Sequence, residues 1–272
     1  DNDVGEDTIV GFSFGTDVIK VVATAVGDYD HAADVTIGTA TGDVDTGAVA
    51  GSYATNVALI SVDSDATLGQ ADDIVLTFTS PSASVTEARV EAAVQYDLTG
   101  GTGADTITTG ALADTITGGA GADTMTGGLG IDTFVTGETG NSVVASGVTL
   151  ATPGTLAAGD TITFATGAAG TVDLITDFAA TDLLDTSGTA ATAPTTLLGA
   201  TMATALTDNV AFVAYGTYTA GTGAFVAAAA FNAATAKDAL VVAGDGTLTG
   251  TNTTGYVVLD DLSAALAAAN FI

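Results

Sequence analysis

Of the 272 residues, thirty-two are Asp or Glu and only Lys20, Arg89 and Lys237 are basic, a formal net charge of −29. That balance repels phosphate backbones and anionic lipid headgroups, so it excludes nucleic acid as a partner and favours divalent cations. Cysteine is absent, which excludes a disulfide framework and thiolate zinc sites, and a single histidine, His31, excludes a His-rich metal centre.

The chain opens at Asp1 with no charged segment followed by an apolar core. A Sec-type leader is therefore absent or already removed, and a start without methionine suggests a piece of a longer polypeptide. DTIVGFSFGTDVIKVV, from Asp7 to Val22, predicts two strands separated by Gly15, and NVALISV (Asn56 to Val62) and DDIVLTFTS predict further strands. In SVTEARVEAAVQ, Ser84 and Glu87 form a capping box that predicts an amphipathic helix. Asp28, Asp30, Asp43, Asp45, Asp63, Asp65, Asp72 and Asp73 read as solvated turn residues, with Asp28-Tyr-Asp30 and Asp63-Ser-Asp65 the two pairs spaced to take an extra ion.

From Gly100 the sequence falls into a strict frame of nine: GGTGADTIT, TGALADTIT, GGAGADTMT, GGLGIDTFV. Asp105, Asp114, Asp123 and Asp132 recur in register, and two places after each comes Ile107, Ile116, Met125 or Phe134. A flexible linker has no reason to keep that register, so the period marks a coil of stacked turns and short strands. The apolar residue of each strand points inward and its neighbours outward, because strand side chains alternate. Glycine-rich turns expose carbonyls that complete an oxygen shell around carboxylates, the preference of Ca²⁺. The second unit carries Leu112 where the others have Gly103, Gly121 and Gly130, so the site involving that turn is expected to be weaker. The frame frays upstream at Leu98 and downstream in TGETGNSVV (Thr136 to Val144), where Gly137, Gly140 and Val143 persist but Asn141 replaces the aspartate.

These units resemble the GGxGxDxUx nonapeptide of the repeats-in-toxin (RTX) family, a calcium-binding parallel β-roll. The resemblance implies that turn one stacks on turn three and turn two on turn four, pairing Asp105 with Asp123 and Asp114 with Asp132, each pair sharing an ion. The implied metal set is Gly101, Gly103, Asp105, Gly110, Leu112, Asp114, Gly119, Gly121, Asp123, Gly128, Gly130 and Asp132, with Asn141 completing a site beside Asp123.

Beyond the coil, DLITDFAATDLLDTS (Asp173 to Ser187) is similar to the element that follows the nonapeptides in many secreted RTX proteins and closes the roll, which adds Asp177 and Asp182 to the metal set. Residues 7–22 echo that element with Gly11 in place of Asp177, and NVAFVAY (Asn209 to Tyr215) echoes NVALISV. AFVAAAAF, ALVVAG and YVVLDDL predict strands, and LSAALAAANFI a terminal helix. The uncharged run from Asn209 to Ala236 is broken by Gly216, Gly221 and Gly223 and alternates like a strand, which argues against a membrane helix. DDLSAALAAANFI resembles the uncleaved C-terminal signal of proteins exported by type I transporters.

Together these observations predict an all-β-dominated fold: a short calcium-binding β-roll at 98–144, between β-rich cap regions at 1–97 and 145–272 that hold a few short helices. HExxH, GxSxG, a cysteine nucleophile and a phosphate loop are all missing from the sequence, so no catalytic role is expected. The expected function is an extracellular or cell-surface structural protein that is exported by type I machinery, folds on calcium, and self-associates into a layer or filament without membrane insertion. Two other readings are a calcium-binding secretion and folding appendage of an enzyme or toxin, and an adhesin or ice-binding module presenting the outward threonines of the coil.

Overall fold

The computed structural model describes residues 6–24, 29–30, 35–37, 57–60, 74–135, 145–149, 156–164, 172–185, 195–196, 212–242 and 256–272. Strands dominate them, as the alternating β-branched and aromatic residues dictate. In the N-terminal third these are β1 (Glu6–Val10), β2 (Ile19–Thr24), β3 (Tyr29–Asp30), β4 (Val35–Ile37), β5 (Val57–Ile60) and β6 (Ile74–Thr79), followed by helix α1 (Glu87–Glu91) and β7 (Val94–Thr99). The four nonapeptides supply β8 (Thr106–Thr108), β9 (Thr115–Thr117), β10 (Thr124–Thr126) and β11 (Thr133–Val135). Next come β12 (Ala145–Thr149), β13 (Thr161–Phe164), β14 (Asp173–Ile175), β15 (Leu183–Asp185) and β16 (Thr195–Thr196). The last are β17 (Phe212–Thr219), β18 (Ala224–Ala227), β19 (Asp238–Val242) and β20 (Tyr256–Leu259).

The roll is two facing parallel sheets between which the chain alternates. One carries β2, β7, β9, β11 and β15 in spatial order; the other carries β3, β8, β10, β14 and β20. Each three-residue strand offers one inward side chain, so the core is a pair of columns. Ala23, Leu98, Ile116, Phe134 and Leu184 stand in register on the first sheet, and Phe271 bridges Leu184 as a last rung. Ile107, Met125, Ile175 and Leu259 stand in register on the second. The four inward residues named from the repeat, Ile107, Ile116, Met125 and Phe134, are fully buried.

The ladder extends past the nonapeptides. The chain leaves the roll after β11, returns for β14 and β15, leaves again, and returns for β20 and Phe271. Few rungs bury little surface, and a repeat stack needs closed ends. At the N-terminal end Phe12, Phe14 and Phe78 cluster with ring centroids 5.0–5.7 Å apart, joined in the same core by Val85 and Val90. At the other end Phe178, Leu262 and Phe271 are buried in that core.

Segments between the returning rungs extend the second sheet: β20 pairs antiparallel with β19, then β17, β18, β13 and β12 follow. Both faces of β19 and β20 are buried, which is why ALVV and YVVL read as continuous apolar runs. One face joins the roll core through Ala239, Val241, Val257 and Leu259; the other builds a second core from Ile162, Phe164, Phe225, Leu240, Tyr256 and Val258. A separate sheet of order β1, β6, β5, β4 completes the N-terminal region.

Two helical expectations are corrected. The helix predicted from Ser84 spans only Glu87–Glu91 with Thr86 at its N-cap and no side-chain capping bond, while the Ser84 Oγ accepts a bond from Arg89 Nη1 instead. Val94 and Gln95 are drawn into β7, where pairing along the whole of β2 outweighs helical propensity. The terminal LSAALAAANFI holds a single 3-10 turn, Ala268–Asn270, because the segment is stretched to place Phe271 on the roll. The uncharged run from Asn209 contributes β17 and β18, joined by a 3-10 turn that ends at Gly223 with φ 63°.

Candidate metal centre

Because strands on one sheet come from alternate units, turns also stack alternately. Residues 100–105 lie beneath 118–123 on one edge, and 109–114 beneath 127–132 on the other, as the registers of β8 with β10 and of β9 with β11 require. Backbone bonds tie them, Ala120 N–H to the Gly101 carbonyl at 3.1 Å and Leu129 N–H to the Gly110 carbonyl at 2.9 Å. The pairing of Asp105 with Asp123 and of Asp114 with Asp132 is therefore present as a stack.

The aspartates form two buried ladders. On one edge the Asp105 N–H donates to Asp123 Oδ1 (2.9 Å) and the Asp123 N–H to Asp173 Oδ1 (3.1 Å). On the other, Tyr96 N–H donates to Asp114 Oδ1 (2.7 Å), Asp114 N–H to Asp132 Oδ1 (2.9 Å), and Asp132 N–H to Asp182 Oδ1 (3.1 Å). The second oxygen of Asp105, Asp114 and Asp182 closes its own turn, accepting from Gly101, Gly110 and Ala179.

Carbonyls converge beside these carboxylates, and glycine is what lets them. A Cβ on Gly121 would lie 1.9 Å from the Gly103 oxygen, and one on Gly119 2.5 Å from the Gly101 oxygen. On the opposite edge, a Cβ on Gly128 would lie 2.0 Å from the Gly110 oxygen and one on Gly130 2.4 Å from the Leu112 oxygen. All four glycines adopt positive φ. Hard carbonyl and carboxylate oxygens in dense, repeated array are the donor set that suits Ca²⁺. Among the described residues no three carboxylate, histidine or cysteine side chains converge, so an ion here takes much of its shell from the backbone.

Leu112 alters the expectation attached to it. Gly103, its counterpart in the first turn, has neither positive φ nor any atom nearer than 3.8 Å to an added Cβ. At this repeat position the glycine requirement belongs to the upper turn of each stack, where Gly121 and Gly130 sit against carbonyls below. Leu112 lies in a lower turn and still directs its carbonyl at Gly130, so the reason for expecting a weaker site falls away.

Burial pushes Asp114 up to about 6 and Asp132 to about 7, the latter also through the neighbouring charges of Asp114, Asp182 and Asp177. Asp182 is likewise raised by burial. Without a cation the folded state thus binds protons more tightly than the unfolded chain, so stability falls as pH rises from about 4 to about 7 and then levels. In chelator, β-structure followed by far-UV circular dichroism is expected to recover as pH drops from 7 towards 5; a loss over that range would contradict the assignment.

Of the remaining predicted ligands, Asp182 occupies its ladder. Asp177 binds the fourth turn through its backbone, Oδ1 and Oδ2 accepting the Gly127 and Gly128 N–H groups at 3.0 and 2.7 Å. Asn141 lies outside the described residues, and the neighbour of Asp123 in the ladder is Asp173. Asp173 is the ligand-class residue the sequence reading missed, although Asp173-Leu-Ile175 repeats the spacing of Asp105-Thr-Ile107. In the N-terminal echo, Asp17 Oδ2 closes a similar turn onto Ser13 N–H (2.8 Å), but Asp17 is exposed and Gly11 replaces the carboxylate of Asp177.

Two parallel sheets joined by stacked glycine turns, with a buried aspartate at the foot of every turn, define a calcium-binding β-roll. Residues 99–134 match the family model for the RTX calcium-binding nonapeptide repeat (4 copies). That segment is thus an array of RTX nonapeptides, a calcium-binding repeat found generally in secreted proteins. No curated protein matches the chain. No helix among the described residues is long and apolar enough to cross a membrane.

Proposed function

We propose that this protein is a non-catalytic extracellular structural protein, exported unfolded by a type I transporter, folded by external calcium, and then self-associating into a surface layer or filament. The observation that carries this reading is the interleaving of roll and flanks. Rungs β14, β15, β20 and Phe271 come from the C-terminal half, so the roll runs through the body of the fold. That favours a structural role over an appendage serving a separate active domain, since calcium in such a protein governs the whole architecture. Low cytosolic calcium leaves an acidic chain expanded for export, and millimolar calcium outside compacts it.

Native mass measured with calcium and with chelator tests the proposal. Calcium-dependent oligomers or sheets visible by electron microscopy are the expected outcome. A calcium-loaded monomer at high concentration removes the assembly function and favours the appendage.

A further inference from the structure

We propose that Asp238 and Asp260 form an acid-tightened latch that holds the C-terminal tail, residues 261–272, on the roll through one shared proton. In the β19–β20 register Ala239 faces Leu259 and Leu240 faces Val258, which places Asp238 opposite Asp260. Like charges directly opposed on antiparallel strands repel. Asp238 is buried and cannot turn away, because its Oδ2 accepts the Tyr218 N–H at 2.6 Å and its Oδ1 the Asp261 N–H at 3.1 Å. Two backbone donors fix the orientation of the Asp238 carboxyl group towards the pair. Asp260 is half-buried beside it and is tethered by its own N–H to the Ile175 carbonyl (2.8 Å).

Other charged or titratable groups facing the pair, among the described residues, are Asp261 and Lys237, which bond each other at the surface, and Tyr218 of β17. Lys237 is exposed and engaged by Asp261, so it only partly offsets the second charge on the pair. Burial first, then Asp238, push Asp260 up from 3.8 to about 6.

Everything beyond the pair hangs from it. Asp261 has φ 62°, an unusual conformation for a residue with a side chain, and directs the chain back across the roll. Leu266 N–H then bonds the Tyr215 hydroxyl (2.8 Å), and Asn270 Nδ2 bonds the Asp182 and Ala180 carbonyls at 2.9 and 3.0 Å. Phe271 forms the last rung. A released tail returns Asp260 to the ordinary carboxylate range. Seating is therefore strongest below about pH 4, weakens up to about pH 6, and is constant above.

The test is hydrogen–deuterium exchange of the calcium-saturated full chain between pH 4.5 and 7.5, corrected for intrinsic exchange, comparing residues 261–272 with 106–134. Tail protection relative to the roll is expected to fall by about tenfold per pH unit below pH 6 and then stay flat. Asp260→Asn removes the dependence while roll protection persists. A tail that follows the roll's profile, or an Asp260→Asn protein that keeps the dependence, overturns the latch. Carboxyl NMR titration of the wild-type protein decides independently of any variant: an Asp260 midpoint well above 4 is expected, and one at or below 4 refutes it.

Discussion

Chelating calcium at neutral pH is expected to unfold the C-terminal half of the protein together with the repeats, and calcium, but not magnesium, to restore both. Strands β14 and β15 pair directly with β10 and β11, and β20 pairs with β14, so the antiparallel extension built on β20 hangs from the nonapeptides. An ion present at a thousand times its dissociation constant stabilises the folded state by about 4 kcal/mol. A domain's whole stability is about 5–15 kcal/mol, so even two such ions decide whether this chain folds. Magnesium demands near-ideal octahedral geometry and dehydrates reluctantly, which a carbonyl-rich ladder does not supply. Exchange protection at Phe212–Thr219 and Asp238–Val242 reads the coupling. If those strands stay protected in chelator at pH 7 while the repeats exchange freely, the two halves fold independently.

Gly121 and Gly130, in the upper turns, are expected to be irreplaceable, and Gly103, their counterpart in a lower turn, expendable. Gly121→Ala drives a methyl group to within 1.9 Å of the Gly103 oxygen at φ 152°, and Gly130→Ala drives one to within 2.4 Å of the Leu112 oxygen at φ 137°. Backbone obstructs in both cases and cannot swing aside, so each is expected to cost about 3 kcal/mol or more. Gly103→Ala meets nothing closer than 3.8 Å and is expected to change stability by less than about 1 kcal/mol. Leu112→Gly falls in the same small range. Thermal midpoints in saturating calcium, with the calcium concentration at half-folding, separate the two groups. Equal losses for Gly103→Ala and Gly121→Ala would show that the stack has no lower and upper member.

The nine-residue period determined the roll, because inward and outward positions are set by strand alternation and the turn positions by glycine and aspartate; all of that is local chemistry. It placed Ile107, Ile116, Met125 and Phe134 in the core and put Asp105, Asp114, Asp123 and Asp132 in stacked turns. Local chemistry also marked ALVV and YVVL as strands. Leu112 looked like damage because a sequence shows which residue departs from a pattern but not which copies bear a neighbour below. Ser84 with Glu87 looked like a helix start because capping is local, whereas the pull of β2 on Val94 and Gln95 is not. Only the tertiary structure decided that Asp173 continues the aspartate ladder and that Tyr256–Leu259 and Phe271 rejoin the roll across long excursions of chain. The closing of a ladder depends on which backbone edge is left to pair and which columns remain unfilled, and no period in the sequence records either. For the same reason nothing in the sequence pairs Asp238 with Asp260; the register of β19 with β20 sets them face to face.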